Sequence, residues 1–268
     1  MRRFPAPVTA LALILTAATA QTGLSRPALA QEKPLDRAAV EAIVRETLVK
    51  NPEIILEAIH ALEAKDQAAS DKAQADALAD NRKALTDSPT SPVGGNPKGD
   101  VTLVEFFDYN CGYCKRTHPE RVEAVKKDGK VRLVYKEFPI LAPSSMEAAK
   151  AALAAQRQGK YEAMHTALMT HQGKLDTDTI REIAKGVGLD VKKLEDDMGD
   201  PAIQKEIQAN LDLGPKLGIR GTPGFIVGDT IVPGAIQADQ FKQLFAQARD
   251  AGKEGAGKDG SKDAKKGG

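Results

Sequence analysis

Apolar residues recur at every third or fourth position between Leu35 and Leu62, which is the spacing of an amphipathic helix. Asn51 and Pro52 interrupt this pattern once, as the cap of one helix and the first residue of the next. From Lys65 to Leu85 the composition stays helical, but alanine and charged residues replace most large apolar side chains. The pattern predicts helices here, and its apolar positions are Val40, Ile43, Val44, Leu48, Ile55, Ile59 and Leu62.

Two roles fit this helical region. It could pack on the body of the protein as an ordinary helix, or it could form an arm that pairs with other copies of the chain. The segment from Asp87 to Gly99, DSPTSPVGGNPKG, is rich in proline and glycine and has the composition of a linker. We therefore expect residues 31–86 to form a helical oligomerisation arm and residues 87–99 to separate it from the next domain.

The hydrophobic pattern changes after this linker. The run VTLVEFFDY from Val101 is typical of a buried strand, and CGYCKRTHPERVEAVKK after it is typical of a helix. A second strand-like run, KVRLVYKEFP, begins at Lys130. Strand, helix and strand within so short a span predict a right-handed parallel unit.

A block of helices and a hairpin follow the parallel unit. The helices are predicted at Ser144–Gln158, Tyr161–His171, Asp178–Val187, Val191–Met198 and Pro201–Leu213. A turn at Gly228 and Asp229 joins GFIV to TIVPG in the hairpin, and a last helix runs from about Gln237 to Arg249. This order predicts an α/β chain with a thioredoxin-like fold that carries a helical insertion, over residues 100–250.

Both ends of the chain have the composition of segments outside the folded domain. Two arginines precede the apolar run from Val8 to Ala20, which is the order found in a secretory signal peptide. This run is too short to span a membrane. We expect residues 1–30 to be removed by cleavage after Ala30, with Ala20 as the rival site. Residues 251–268 are rich in glycine and lysine, which predicts a disordered tail.

The net charge and the cysteine count limit the function. Loss of residues 1–30 takes three arginines with it and lowers the formal net charge from +1 to −2. A chain so near neutrality has no electrostatic basis for binding nucleic acid. Export leads to an oxidising compartment such as the periplasm, where cysteines form stabilising disulfides or exchange them. Two cysteines make no disulfide framework in a chain of this length, so their role is expected to be local and chemical.

The two cysteines lie in the motif Cys-Gly-Tyr-Cys, at the predicted passage from strand to helix. Unpaired backbone N–H groups and the helix dipole stabilise a thiolate at Cys111, so its pKa is expected to be low. Cys114 lies one turn further into the helix, where it is shielded and can resolve a mixed disulfide formed at Cys111. The motif therefore predicts a redox-active disulfide and no other cofactor, with Cys111 as the nucleophile.

A metal site and an inert structural disulfide are the alternatives for this pair. Structural zinc normally takes four ligands, and the chain has only two cysteines. His118, one helical turn beyond Cys114, would complete a three-ligand set suited to Cu(I). It precedes Pro119, which should kink the helix, and such a histidine is more often a partly exposed helix residue. We therefore expect no metal, and surface or packing positions for His60, His165 and His171.

With these motifs the chain resembles the periplasmic DsbA-like thiol–disulfide oxidoreductases. The resemblance covers about Val101 to Ala248 and rests on VEFFDYNCGYC, VYKEFPIL and GIRGTPGFIVG in the family's order. It implies a cis peptide bond between Thr222 and Pro223 that faces the cysteines, with the Thr222 backbone presented to a client chain. It also implies that Glu105 is the family's buried acid, which exchanges protons with Cys114.

One departure from the family concerns Gly112 and Tyr113. Strong oxidases of the family carry Pro-His between their cysteines, where the histidine favours the reduced form. Tyrosine brings no comparable charge, so the resemblance implies a less acidic Cys111 and a less oxidising couple. The motif resembles that of DsbC-type disulfide isomerases, which are dimers. A helical amino-terminal extension is similar to the ScsC proteins, some of which are trimeric isomerases.

The sequence thus predicts an exported thiol–disulfide oxidoreductase that isomerises or reduces disulfides in client proteins. The arm is expected to join copies into a dimer or trimer, and a membrane redox partner is expected. The substrate face is predicted to include Gly112, Tyr113, Thr222 and Pro223. A dithiol oxidase that introduces disulfides is the alternative of the same class, and a periplasmic copper-binding or chaperone protein is the alternative of another class.

Overall fold

A computed structural model describes residues 36–263 of the chain, with side chains up to residue 253. The predicted signal peptide and its cleavage site lie outside the described residues, as do the last five residues of the predicted tail. The chain divides into two compact units, one that ends at His60 and one that begins at Ala61.

The first unit holds α1 (Arg37–Lys50) and the beginning of α2 (Glu53–Thr86). Asp36 caps α1 by accepting a hydrogen bond from the backbone N–H of Ala39 at 2.8 Å, and the helix ends at Asn51, where the sequence predicts the break. None of the described residues of α1 is buried. The exposed apolar side chains of this unit are Val40, Ile43, Val44, Val49, Ile54, Ile55, Leu56 and Ile59.

A five-stranded mixed sheet forms the centre of the second unit. Its strands are β1 (Val93–Gly95), β2 (Val101–Phe107), β3 (Val131–Glu137), β4 (Gly224–Val227) and β5 (Thr230–Pro233). Their order across the sheet is β1-β3-β2-β4-β5, with β2 and β3 parallel and the other neighbours antiparallel. The helix α3 (Gly112–Asp128) connects the parallel pair. The predicted parallel unit and the predicted hairpin of β4 and β5 are therefore confirmed.

Five helices between β3 and β4 form the predicted insertion, and one helix follows β5. They are α4 (Pro143–Gln156), α5 (Tyr161–Thr170), α6 (Thr177–Gly186), α7 (Val191–Met198), α8 (Pro201–Lys216) and α9 (Ala238–Asp263). Each insertion helix lies within a few residues of the bounds that the hydrophobic pattern predicts. The thioredoxin-like fold with a helical insertion is confirmed by this order of elements.

The second half of α2 packs on one face of the sheet. Leu78 and Leu85 are buried there against Val104 and Phe106 of β2, together with the end of α8. The Lys136 ammonium on β3 donates a hydrogen bond to the carbonyl of residue 84 in α2 at 2.7 Å. The ordinary packed-helix interpretation therefore describes this half of α2, although the sequence assigns residues 31–86 to an arm.

The segment that the sequence assigns to a linker, residues 87–99, contains strand β1. Gly94 pairs with Leu133 of β3, and a Cβ at Gly94 would lie within 3 Å of the Tyr135 ring. Gly95 has a φ of 62°, which favours glycine. The two glycines that resemble linker composition are therefore needed for close packing at the sheet edge, and residues 93–95 are a strand.

The last helix is longer than the hydrophobic pattern predicts. Phe241 and Phe245 bury one side of α9 in the main core, which accounts for the predicted helix up to Arg249. The helix nevertheless continues to Asp263, into the segment for which the composition predicts disorder. The described part of the predicted tail is therefore helical up to residue 263, and its disorder in solution stays a prediction.

Candidate active site

Cys111 lies at the amino-terminal end of α3, directly after the turn that follows β2. It is the N-cap residue of the helix, and its Sγ accepts a hydrogen bond from the backbone N–H of Cys114 at 3.4 Å. Both cysteines are buried and form no disulfide, and Cys111 is 6% exposed. This position aims the helix N-terminus at the Cys111 sulfur, as the sequence predicts.

The two thiols have opposite pKa shifts. The pKa of Cys111 is lowered to about 5, chiefly because the Cys114 side chain donates a hydrogen bond to its sulfur, while burial acts against this shift. The pKa of Cys114 is raised well above its ordinary value by the same hydrogen bond and by burial. Cys111 is therefore a thiolate at neutral pH and Cys114 a thiol, which suits a nucleophile and a resolving cysteine.

The loop before β4 brings a distant segment to this sulfur. The Thr222–Pro223 peptide bond is cis, as the resemblance implies. The Thr222 carbonyl oxygen lies 3.2 Å from the Cys111 Sγ. The backbone of Thr222 therefore borders the reactive sulfur, although 111 positions separate the two residues in the sequence.

Asp108 fixes the turn that leads into Cys111. Its carboxylate is buried and accepts hydrogen bonds from the backbone N–H groups of Asn110, Ile140 and Leu141, at 2.7, 2.9 and 2.9 Å. The Ser145 hydroxyl donates a fourth hydrogen bond at 2.7 Å. The Asp108 carbonyl in turn accepts from the backbone N–H of the cysteine at 111, at 3.0 Å. One carboxylate thus joins the active-site turn to the loop before α4.

Replacing Asp108 by alanine should therefore change the reactive cysteine. Four donors would lose their acceptor, so we expect a destabilisation of about 3 kcal/mol. Because a loosened turn would no longer hold the Cys111 sulfur against the backbone N–H groups of Tyr113 and Cys114 that lower its pKa, we also expect a rise of about one unit in that pKa. Thiolate absorbance at 240 nm against pH and urea unfolding measure the two effects. Glu206→Gln is the matched control, because this buried carboxylate accepts from Ser91 at 2.7 Å in a separate network. An unchanged Cys111 pKa in Asp108→Ala would contradict this role.

The dipeptide between the cysteines is more exposed than the cysteines themselves. Tyr113 is 61% exposed, and the Arg116 guanidinium lies over its ring, with Cζ 4.3 Å from the ring centroid. A Cβ at Gly112 would lie 3.5 Å from the Arg116 Nη1. Arg116 therefore covers the dipeptide, a contact that the sequence analysis did not predict.

Glu105 lies in the middle of β2, and its side chain is 1% exposed. Its Oε2 is 2.9 Å from the Nε of Arg121, which is equally buried. Burial raises the pKa of Glu105, and the charge of Arg121 acts against this rise. The strand carboxylate is therefore part of a buried ion pair, and it does not face solvent.

His118 is buried, so the expectation of a partly exposed histidine is wrong. Its Nδ1 lies 2.9 Å from the Nη2 of Arg121. Cys114, His118 and Arg121 stand four and then three residues apart, so they share one face of α3. This spacing is the signal that could have predicted the cluster. Within the described residues, no group of three His, Cys, Asp or Glu side chains is placed to hold a metal ion.

Comparisons with known proteins decide the family. Residues 102–246 match the model of the DSBA-like thioredoxin domain, and residues 36–69 match that of the copper resistance protein ScsC N-terminal domain. The chain belongs to the DSBA-like thioredoxin family. The members of this family are thiol–disulfide oxidoreductases, and the matched region of this chain contains Cys111 and Cys114.

Two solved structures show how far the similarity to this family extends. A thioredoxin-like oxidoreductase from Silicibacter pomeroyi is 49% identical, with a TM-score of 0.62, and the match covers 63% of this chain and 98% of that one. The catalytic domain of Proteus mirabilis ScsC is 34% identical, with a TM-score of 0.61, covering 65% of this chain and 97% of that domain. The two matches therefore cover nearly the full length of both solved chains and about two thirds of this chain.

A curated relative differs greatly in length. A Na⁺/H⁺ antiporter NhaA from Salinispora tropica is 31% identical over 137 residues. The match covers 50% of this chain and 21% of the antiporter, so the chain spans about a fifth of that relative. Among the helices that the structure describes, none combines the length and the apolar character needed to cross a membrane.

Proposed function

We propose that this protein is an exported disulfide isomerase or reductase that acts on client proteins. One observation carries the proposal: the Cys111 thiol has a lowered pKa, and its sulfur lies 3.2 Å from the Thr222 carbonyl oxygen. A thiolate beside the backbone of Thr222 suits attack on a disulfide in an extended client segment that pairs with this backbone. The arginine-led apolar segment at the start of the sequence supports export.

The chemistry needs only the two cysteines and the client. The Cys111 thiolate attacks one sulfur of a client disulfide, which forms a mixed disulfide and releases the other client sulfur as a thiolate. In isomerisation, a client thiolate attacks the mixed disulfide and restores Cys111. In reduction, Cys114 attacks instead, so that the client leaves reduced and the Cys111–Cys114 disulfide forms. A membrane redox partner would then return the two electrons.

Exposed side chains beside the sulfur support binding of unfolded clients. Tyr113 projects from the start of α3, while Ile140 and Leu141 are 39% and 54% exposed. The backbone of this apolar pair is hydrogen bonded to Asp108 of the active-site turn. Unfolded proteins expose apolar side chains, so these three residues offer a client contacts beside the Thr222 backbone.

The apolar surface of the first unit supports assembly of several copies. Ile43 and Val44 are about half exposed, and Val49 is 75% exposed. Exposed apolar side chains at helical spacing are typical of a face that another helix covers. We infer that residues 36–60 join copies of the chain into a dimer or trimer. Several sites in one assembly could hold a misfolded client while one of them attacks it.

A dithiol oxidase remains the second candidate, because the Cys111 pKa lies well below its ordinary value. The value of about 5 falls between about 7 in thioredoxin and about 3.5 in DsbA. A lower pKa stabilises the reduced form and makes the couple more oxidising. This intermediate value supports a couple that accepts or donates disulfides according to its partners.

The reduction potential therefore tests the proposal. Equilibration with glutathione should give a value between about −270 mV, as in thioredoxin, and about −120 mV, as in DsbA. Gly112→Pro combined with Tyr113→His introduces the Pro-His dipeptide of strong oxidases and should raise the reduction potential by about 30 mV or more. A wild-type potential at the DsbA value would favour the oxidase and contradict an isomerase or reductase.

A further inference from the structure

Arg121 organises a buried polar cluster behind the active-site helix. It lies on the inner face of α3, with a side chain that is 3% exposed. Its Nη2 contacts the Nδ1 of His118 at 2.9 Å and the Nε2 of His165 at 3.1 Å. Its guanidinium also lies near the ring of Tyr135, with Cζ 5.4 Å from the centroid. One guanidinium thus connects α3 to β2, β3 and α5.

The hydrogen bonds fix the protons of both histidines. Arginine stays protonated in proteins and can only donate, so the two ring nitrogens that face Arg121 are acceptors. The Nδ1 of His165 lies 3.1 Å from the Tyr109 hydroxyl, and this hydroxyl donates to Glu137 at 2.9 Å. His165 therefore donates from Nδ1 and is neutral, and burial lowers the pKa of His118 to about 4. Arg121 is the charge that faces Glu105 in this cluster.

The ion pair leaves a carboxylate oxygen free to accept. The Oε2 of Glu105 and the Nε of Arg121 are 2.9 Å apart, but their geometry is not that of a hydrogen bond, and both atoms lack any other partner among the described residues. A buried carboxylate without a donor is costly unless an opposite charge stabilises it. The arginine supplies that charge without occupying the oxygen with a hydrogen bond.

We propose that Arg121 is a positioning residue that holds Glu105 ionised and oriented to take the proton of Cys114. The inference rests on the proposed function, since it concerns the resolution of a mixed disulfide. The Cys114 thiol gives its proton to the Glu105 carboxylate, and the resulting thiolate attacks the Cys111 sulfur. The Cys111–Cys114 disulfide forms, the bond from Cys111 to the client breaks, and the client leaves as a thiolate that takes the proton.

Several other titratable groups surround Glu105. Its charge acts on Cys114, Tyr135 and Glu137, and β4 places the apolar Phe225 opposite it. Burial raises the pKa of Glu137, and its carboxylate accepts hydrogen bonds from the hydroxyls of Tyr109 and Tyr161. The titratable groups that face Glu105 or Arg121 from the packed elements are Cys114 and His118 of α3, Tyr135 and Glu137 of β3, and Tyr161 and His165 of α5.

Resolution of a preformed mixed disulfide tests the inference. The full chain would carry glutathione on Cys111, and the rate of glutathione release by Cys114 would be measured from pH 5 to 9. Without the arginine the pKa of Glu105 should rise further, so Arg121→Met should move the midpoint of the profile up by at least about one unit and slow release about ten-fold at pH 7. Arg121→Lys keeps the charge and should recover most of the rate.

Three further variants make the result decisive. Lys136→Met removes another buried cation, on the opposite face of β3, and should leave the pH profile unchanged. Glu105→Gln should slow release, and the double variant Glu105→Gln/Arg121→Met should be no slower than Glu105→Gln. The double variant has no unpaired buried carboxylate, so it keeps the test available if Arg121→Met alone fails to fold. A wild-type profile in Arg121→Met, or full activity in Glu105→Gln, would overturn the inference. Failure of the wild-type chain to release glutathione would instead overturn the proposed function.

Discussion

Replacing Cys111 by serine is expected to abolish exchange, with a loss of at least about 10³-fold in the reduction of insulin disulfides. A serine hydroxyl stays protonated at neutral pH, whereas the pKa of Cys111 is about 5 and its sulfur is ionised. Insulin precipitation in the presence of a small thiol reductant measures the loss. Cys114→Ser is the matched control, because it leaves the nucleophile in place. Normal turnover by Cys111→Ser would exclude the assignment of Cys111 as the nucleophile.

The pH dependence of the reaction of Cys111 with disulfides follows from its lowered pKa. Its pKa is lowered, so the thiolate persists above about pH 5 and its reaction with a disulfide should slow only as the pH falls through that value. The lowered pKa also stabilises the reduced fold at neutral pH, and this contribution is lost as the pH falls through about 5. Alkylation of Cys111 with iodoacetamide against pH gives the midpoint directly.

Removing the first unit is expected to separate isomerisation from reduction. A chain that begins at Ala61 should be a monomer that still reduces insulin, because the catalytic cysteines and their surroundings lie in the second unit. Its recovery of activity from a scrambled multi-disulfide substrate should fall about a hundred-fold, since the sites no longer share a client. Light scattering gives the size, and refolding of scrambled ribonuclease gives the isomerase activity.

The point of truncation matters for this experiment. Leu78 and Leu85 of α2 are buried in the core, so a deletion that reaches residue 85 would expose β2 and destabilise the catalytic domain. Ile43→Asp in the full chain places a charge on the apolar face and should weaken assembly without touching that core. An unchanged oligomer after removal of residues 36–60 would show that another surface joins the copies.

Most of the fold could be predicted because its elements have clear hydrophobic periods. The buried strand at Val101 and the five insertion helices lie close to their predicted bounds. Strand β1 could not be predicted, because three residues with two glycines resemble a turn, and only pairing with β3 makes them a strand. The packing of α2 could not be predicted either, because its two buried leucines stand in an alanine-rich sequence that shows no obvious partner.

The candidate site also has a part that could be predicted from the sequence and a part that could not. Local signals place Cys111 and Cys114 at a helix N-terminus, and the family resemblance adds Thr222 and Pro223 from a distant loop. The Arg121 cluster was missed, because its partners come from β2, β3 and α5, far apart in the sequence. The spacing of Cys114, His118 and Arg121 places them on one face of α3, but charged residues on a helix are usually solvated, so this signal was too weak to show that Arg121 is buried.

The central claim is that Cys111 makes the first covalent bond with a client, beside the Thr222 backbone. Trapping tests it most directly: an oxidised, unfolded client is incubated with the reduced Cys111→Ser and Cys114→Ser chains, and the covalent complexes are separated by non-reducing electrophoresis. We predict a stable mixed disulfide with Cys114→Ser, mapped to residue 111 by mass spectrometry, and almost none with Cys111→Ser. Equal trapping by the two variants would contradict the account.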